Sequence, residues 1–141
     1  MGLLIEDEKL HPHFLNKLNK KIKVVNPKSV SYQQLFLEAD LLITDYSSLH
    51  FDFSFLNKPI VYYQFDQDDF YGGSHSYQKG IFKFERDGFG PVVKNPGDLV
   101  GLVEKYSRSE SNIFKKYKNK SKSVFLCDKG NSAARIYSNI F

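Results

Sequence analysis

The chain is poor in the residues that staple a fold or anchor it in a membrane. Of its 141 residues one is cysteine, Cys127, and none is tryptophan. A lone thiol excludes an internal disulfide framework and leaves no cysteine cluster for zinc, so a reducing cytoplasm is the expected compartment. No apolar run approaches the roughly 18 to 20 residues of a membrane-spanning helix. The opening "MGLLIEDE" has no basic segment and turns acidic at Glu6, which reads against a signal peptide. Glu6 also stands where a myristoylation signal carries serine or threonine. A G-x-S-x-G nucleophile turn is missing. "GGSH" at 72–75 lacks the Lys and Ser/Thr that close a P-loop. "DQDD" at 66–69 has neither the sixth-position Gly nor the terminal Glu of an EF-hand, so no metal or other cofactor is expected.

What is present describes a globular protein. Hydrophobic residues make up 41% and aromatics 16%, with 13 Phe and 9 Tyr, too apolar for a disordered chain. The net charge of +4 suits an anionic partner such as a phosphate or the inner membrane leaflet. Much of the excess sits in "NKLNKKIK" (16–23) and "KKYKNKSK" (115–122), which read more readily as solvated helix faces than as binding patches. Apart from Tyr117 these runs have few interleaved aromatics, which disfavours nucleic acid.

Short apolar runs alternate with amphipathic ones. Strands are expected at 3–6 ("LLIE"), 22–25 ("IKVV"), 40–44 ("DLLIT"), 59–63 ("PIVYY") and 91–93 ("PVV"). Helices are expected at 11–21, after Ser31 as a cap, over 47–57, after Asn95 or Asp98, and over 109–126 and 131–141 with a Gly-centred break at "DKGN". Residues 64–91 have no steady period and read as a long functional loop with one short helix. Strands about every 20 residues with helices between them imply right-handed crossovers and a doubly wound parallel sheet. Ligands of such sheets lie at the carboxyl ends of the strands, so the residues after Glu6, Val25, Thr44 and Tyr63 are the first candidates for function.

The stretch "LLITDYSS" (41–48) is the best of these. A buried strand ending in Thr44 delivers Asp45 to the sheet edge. The following helix begins at Ser47 or Ser48, whose hydroxyls and free N–H groups would welcome a phosphate. Asp45 would orient a hydroxyl or a base rather than touch the anion. Ser and Asp are also favoured helix caps, worth ~1 kcal/mol with no ligand at all. His11, following the first strand, is a candidate base or phosphate clamp, or else a surface or capping residue. His75 and Lys79 are candidate anion contacts from the long loop. The helix "SSLHFDFSFLN" has apolar residues on more than one face and should be buried on most sides, with Asp52 held as a structural acceptor.

With "KLHP" (9–12), "LITDYSSLHFDFSFLNKPIVYYQFD" (42–66) and "KGIFKFERDGFGPV" (79–92) in this order, the chain resembles the C-terminal part of the CDP-glycerol glycerophosphotransferases, builders of teichoic acid and capsule poly(glycerol phosphate). The tail "DKGNSAARIYSNI" resembles the family's closing helix. The resemblance implies the C-terminal, nucleotide-donor-binding half of a GT-B fold, with 1–141 as one partial domain and 109–141 its last helices. It places His11 beside the donor phosphates and makes Asp45, Ser47 and Ser48, after Thr44, the acid and hydroxyls of the phosphate-binding turn. It sets Lys79 and Gly80 where the family commonly has Arg-Gly, the Lys keeping the charge but losing the bidentate fork. His11 and Asp45 are thus the expected catalytic residues, and Thr44, Ser47, Ser48, Lys79 and Gly80 the donor-phosphate contacts.

The implied partners are CDP-glycerol or a related CDP-polyol and a teichoic acid or capsular acceptor, at the inner face of the cell membrane. Against the family pattern, the acceptor half with its own histidine and the first strand of the donor half are missing. That strand is central in the usual order 3-2-1-4-5-6. A truncated or split member is therefore expected, with a gap in its sheet or closure by rearrangement or dimerisation. A non-catalytic nucleotide-binding remnant and a ribitol-phosphate transferase are the alternatives.

Overall fold

The computed structural model describes residues 25, 30–74, 80–108, 112–125 and 130–140. The chain divides into two compact units, Met1–Asp40 and Leu41–Phe141. In the first, helix α1 (Tyr32–Glu38) follows Ser31. Ser31 has the extended backbone of a cap, yet its side chain makes no capping hydrogen bond; the bond that starts the helix runs from the Leu35 N–H to the Ser31 carbonyl. The expected strand at 3–6, the helix at 11–21 and all of the strand at 22–25 except the buried Val25 lie outside the described residues.

In the second unit, β1 (Leu42–Thr44), β2 (Ile60–Tyr63) and β3 (Val92–Val93) form a parallel sheet in chain order. Leu42, Ile43 and Thr44 pair with Ile60, Val61 and Tyr62, and Tyr62 and Tyr63 with Val92 and Val93. Parallel neighbours need crossovers. Helix α2 (Leu49–Phe55) supplies the first. The second runs through α3 (Gln67–Asp69), a π-helical turn (Phe70–Ser74) and α4 (Phe84–Asp87), two short helices where one was expected in this loop. Beyond β3 come α5 (Pro96–Ser107), α6 (Asn112–Val124) and α7 (Ser132–Ile140), close to their expected positions. Before α7, Gly130 has φ +101°, a conformation costly for any side-chain-bearing residue.

Successive side chains of a strand point to opposite faces, and β2 shows this division. Val61, with Val93 and Phe114, forms a cluster against which Ile43, Tyr63, Leu99, Leu102 and Tyr106 pack. On the other face Ile60 and Tyr62 are fully buried, Tyr62 against the Phe84 ring; Phe53 of α2 is also fully buried, which alone contributes about 1.5–3 kcal/mol. Gly90 lets its backbone lie against β2: a Cβ there would meet the Ile60 carbonyl oxygen at 1.8 Å. The residues of β1 are half-buried, whereas Ile60, Val61 and Tyr62 of β2 are buried, and β1 pairs with β2 alone among the described residues.

Helix α2 is less enclosed than its composition suggests. His50, Phe53 and Ser54 are buried, while Phe51 and Phe55 are each 37% exposed and Asp52 faces solvent. Asp52 is therefore no buried acceptor. Its exposure costs nothing, because water solvates the carboxylate.

Candidate functional site

Thr44 ends β1, and the chain turns through Asp45, Tyr46, Ser47 and Ser48 into α2. Asp45 builds the turn. Its Oδ1 accepts hydrogen bonds from the backbone N–H groups of Tyr46 (2.6 Å) and Ser47 (3.2 Å), the local side-chain-to-backbone bonding for which Asp favours turns. Ser47 Oγ accepts from the Leu49 N–H at 3.3 Å. Ser48 occupies the cap position with a helical backbone (φ −66°, ψ −12°) instead of the extended one a cap uses, and its side chain makes no capping bond. Its hydroxyl is left at the surface, beside the half-buried Ser47 and Thr44.

The turn is fastened on its other side by Tyr46. The ring stacks on Phe70 with centroids 3.7 Å apart and planes 10° from parallel, and meets Tyr71 and Phe84 edge-on at 5.7 and 6.0 Å. The Tyr46 hydroxyl donates to Asp66 Oδ1 at 3.2 Å. Burial, then the charge and hydrogen bond of Asp66, raise the phenol well above its ordinary pKa, so it remains a neutral donor. The fully buried Gln64 donates from Nε2 to the Asp45 carbonyl at 3.2 Å, tying the turn to the carboxyl end of β2.

Two residues into α2 the chemistry reverses. His50 is 2% exposed, with the rings of Tyr62, Phe82, Phe84 and Phe89 at centroid distances of 5.2 to 5.7 Å. Its Nδ1 lies 2.7 Å from the Tyr62 hydroxyl, which accepts the Phe89 N–H at 3.2 Å. With that acceptor role filled, we assign the Tyr62 O–H as donor to Nδ1, which puts the imidazole proton on Nε2. Burial lowers His50 to about 4 and pushes the Tyr62 hydroxyl up to about 12, so both are neutral near pH 7. This pair is structural.

Of the residues singled out in the sequence, Thr44, Asp45, Ser47 and Ser48 share this one turn. Gly80 is exposed, and a Cβ there would meet open space. His11 and Lys79, with His75, lie outside the described residues. Tyr46 and His50 were not singled out, because, apart from Tyr62 of β2, their long-range partners come from the aperiodic stretch after β2. The signal available for Tyr46 was its place between an acid and two serines, where an exposed aromatic would have had no purpose.

A family model described as CDP-Glycerol:Poly(glycerophosphate) glycerophosphotransferase matches residues 8–141. The chain is 34% identical over 110 residues to the minor teichoic acid biosynthesis protein GgaB of Bacillus subtilis (strain 168), covering 78% of this chain and 12% of that protein. It is 49% identical over 61 residues to the teichoic acid glycerol-phosphate primase of the same organism, covering 41% of this chain and 16% of the relative. In structure it is similar to the wall teichoic acid polymerase TagF, with a TM-score of 0.60 and 23% identity over 97% of this chain and 33% of TagF. The likeness carries the fold, a partial Rossmann-like half as the doubly wound pattern implied. The chain thus spans a third or less of the length of each of these relatives. That match runs from residue 8 to the last residue, across the strands, the Asp45 turn and the closing helices, and the chain belongs to the CDP-glycerol:poly(glycerophosphate) glycerophosphotransferase family.

Proposed function

We propose that this chain is the donor-binding part of a glycerophosphotransferase and holds the phosphates of CDP-glycerol at the Thr44–Ser48 turn. The observation that carries the reading is the turn's geometry: Asp45 and Tyr46 are spent on building it, and the Ser48 hydroxyl is left uncommitted at the carboxyl edge of a parallel sheet. In the reaction a hydroxyl oxygen of the acceptor polymer forms a bond to the β-phosphorus of CDP-glycerol. The bond from that phosphorus to the oxygen of CMP breaks, CMP leaves, and the hydroxyl proton goes to a base. Charge on the transferring group would be met by Ser47, Ser48, Lys79 and the backbone near Gly80, with His11 beside the phosphates. Asp45 takes the orienting role, since its Oδ1 already serves the backbone.

The isolated chain is expected to bind donor weakly and to polymerise little. Calorimetric titration with CDP-glycerol, CDP-ribitol and CMP, beside a Ser47→Ala, Ser48→Ala double variant, tests the reading. Binding of CDP-glycerol that the double variant loses supports it, and equal binding by both proteins overturns it. A non-catalytic nucleotide-binding role predicts the same binding without turnover, even when the acceptor half is supplied.

Two further features belong to this reading. No described helix is long and apolar enough to cross a membrane. The exposed lysines of α6, Lys115, Lys116 and Lys122, support peripheral contact with an anionic membrane face. Among the described residues β1 pairs with β2 alone, which supports pairing of its other edge with a second copy or with another segment. Flotation with anionic vesicles and sedimentation analysis test each in turn.

A further inference from the structure

The carboxyl edge of the sheet carries a bare aromatic ring. Phe65 is 66% exposed, the most exposed phenylalanine among the described residues, with Phe51 and Phe55 next at 37%. An exposed apolar side chain is unremarkable by exposure alone. Its position is what points to a use.

The Gln64 N–H donates to the Val93 carbonyl at 2.9 Å, so the sheet's hydrogen bonding runs one residue past β2 and fixes the backbone leading into Phe65. Both neighbours of Phe65 are tied to the Thr44–Ser48 turn. Gln64 Nε2 donates to the Asp45 carbonyl and Asp66 Oδ1 accepts from the Tyr46 hydroxyl, each at 3.2 Å. The Phe65 ring lies beside that of Tyr63, with centroids 5.2 Å apart and planes at 33°. Tyr63 in turn packs on the buried cluster of Val61, Val93 and Phe114. An exposed ring backed by one that the core holds is oriented before any ligand arrives.

Resting on the donor reading, we propose that Phe65 is the platform on which the nucleotide base of the donor stacks. Adjacent strands lie about 4.8 Å apart, so the ends of β1 and β2 bring the turn and Phe65 within the span of one nucleotide. The two also stand toward opposite faces of the sheet. His50 of α2 meets Tyr62 on one face, while Leu99 and Leu102 of α5 pack with Val61 and Tyr63 on the other. A ligand laid across the strand ends, as in other open α/β sheets, would run from the serines of the turn to the Phe65 ring. Every base has a π-face, so a stack of this kind tolerates any base. Phe65 thus contributes affinity for a nucleotide over a bare sugar or polyol phosphate, and leaves the choice of cytosine to other groups.

The test is an NMR titration of the full chain with CMP, UMP and ribose 5-phosphate, with CDP-glycerol alongside. The parent is expected to bind CMP and UMP about tenfold more tightly than ribose 5-phosphate, and to move the ring protons of the bound pyrimidine upfield. Phe65→Ala is expected to bring both nucleotides down to the affinity of ribose 5-phosphate, whose own binding stays unchanged. Phe65→Tyr should restore the preference and the upfield shift. Ser47→Ala with Ser48→Ala is expected to weaken all three ligands while the preference for the nucleotides persists. The proposal is overturned if Phe65→Ala binds CMP as the parent does, or if it weakens CMP and ribose 5-phosphate equally, which would mean a disturbed turn. CDP-glycerol binding that the serine variant loses and Phe65→Ala keeps leaves the donor reading standing and this proposal refuted. No binding of CDP-glycerol by the parent refutes both.

Discussion

Two of the strand-to-helix junctions at the carboxyl edge of the sheet, those after β1 and β3, are built differently. After β3, Asn95 takes an extended backbone and its Oδ1 accepts the Asp98 N–H at 2.9 Å, while Asn95 Nδ2 donates to Asp98 Oδ2 at 2.6 Å and Pro96 opens the helix. Every part of that junction serves α5. After β1, the residue in the same position, Ser48, is helical and caps nothing. The turn is instead held from behind by Asp45 and sideways by Tyr46. Both junctions use polar side chains on the backbone, but the one after β1 leaves the hydroxyl at its cap position, Ser48, uncommitted, and the residues before it and the Tyr46 ring supply the order.

Four experiments would break or sharpen this contrast. The largest effect is expected from Gly90→Ala, which supports both junctions by letting the backbone before β3 press on β2. The added Cβ would strike the Ile60 carbonyl group, which cannot move aside, and should cost about 3 kcal/mol or more by denaturant unfolding. An unchanged midpoint would mean that the two segments are not in contact.

Next comes acid sensitivity, which separates Ser48 from its buried neighbour on α2. The folded-state pKa of His50 is depressed to about 4 from an ordinary 6.5. The stability this contributes is present above pH 6.5 and is lost as pH falls toward 4, by up to a factor of about ten in the folding equilibrium per pH unit. His50→Phe should remove that slope, at a cost near pH 7 of about 1–3 kcal/mol from the orphaned Tyr62 hydroxyl. A variant retaining the full slope would place the titration elsewhere.

Third, Ser48→Ala should lower CDP-glycerol affinity by about tenfold, the scale of a hydrogen bond to a charged group, while unfolding free energy shifts by less than about 0.5 kcal/mol. Asn95→Ala should do the reverse. It should cost about 1 kcal/mol of stability and leave donor affinity untouched. Loss of stability at Ser48, or of donor binding at Asn95, would erase the distinction between the junctions.

Much of this was legible in the residues. The apolar runs at 40–44, 59–63 and 91–93 mark the three strands, and the long-range order of "ITDYSS" and "KGIFKF" identifies the family. Less legible was what each polar side chain would do. Ser31 and Ser48 sit where caps belong, but whether a serine caps depends on its rotamer and on its φ and ψ, which composition does not set. Asp52, apparently trapped among phenylalanines, faces water because the helix leaves that side uncovered. Tyr46 and His50 depend on Phe70, Phe82, Phe84 and Phe89, between 24 and 39 residues away in a stretch without a period. Tertiary contact decided their roles.

The stack of Tyr46 on Phe70 has a thermodynamic consequence. Because folding itself fixes the turn, a ligand reaching Ser47 and Ser48 finds them already ordered and loses little to immobilising them. Loosening the anchor, as in Phe70→Leu, would leave every hydroxyl in place and should still weaken donor binding, with the loss appearing as a less favourable entropy and not as missing heat. On the donor-binding reading, affinity at this edge of the sheet would be set partly by a pair of rings behind the turn.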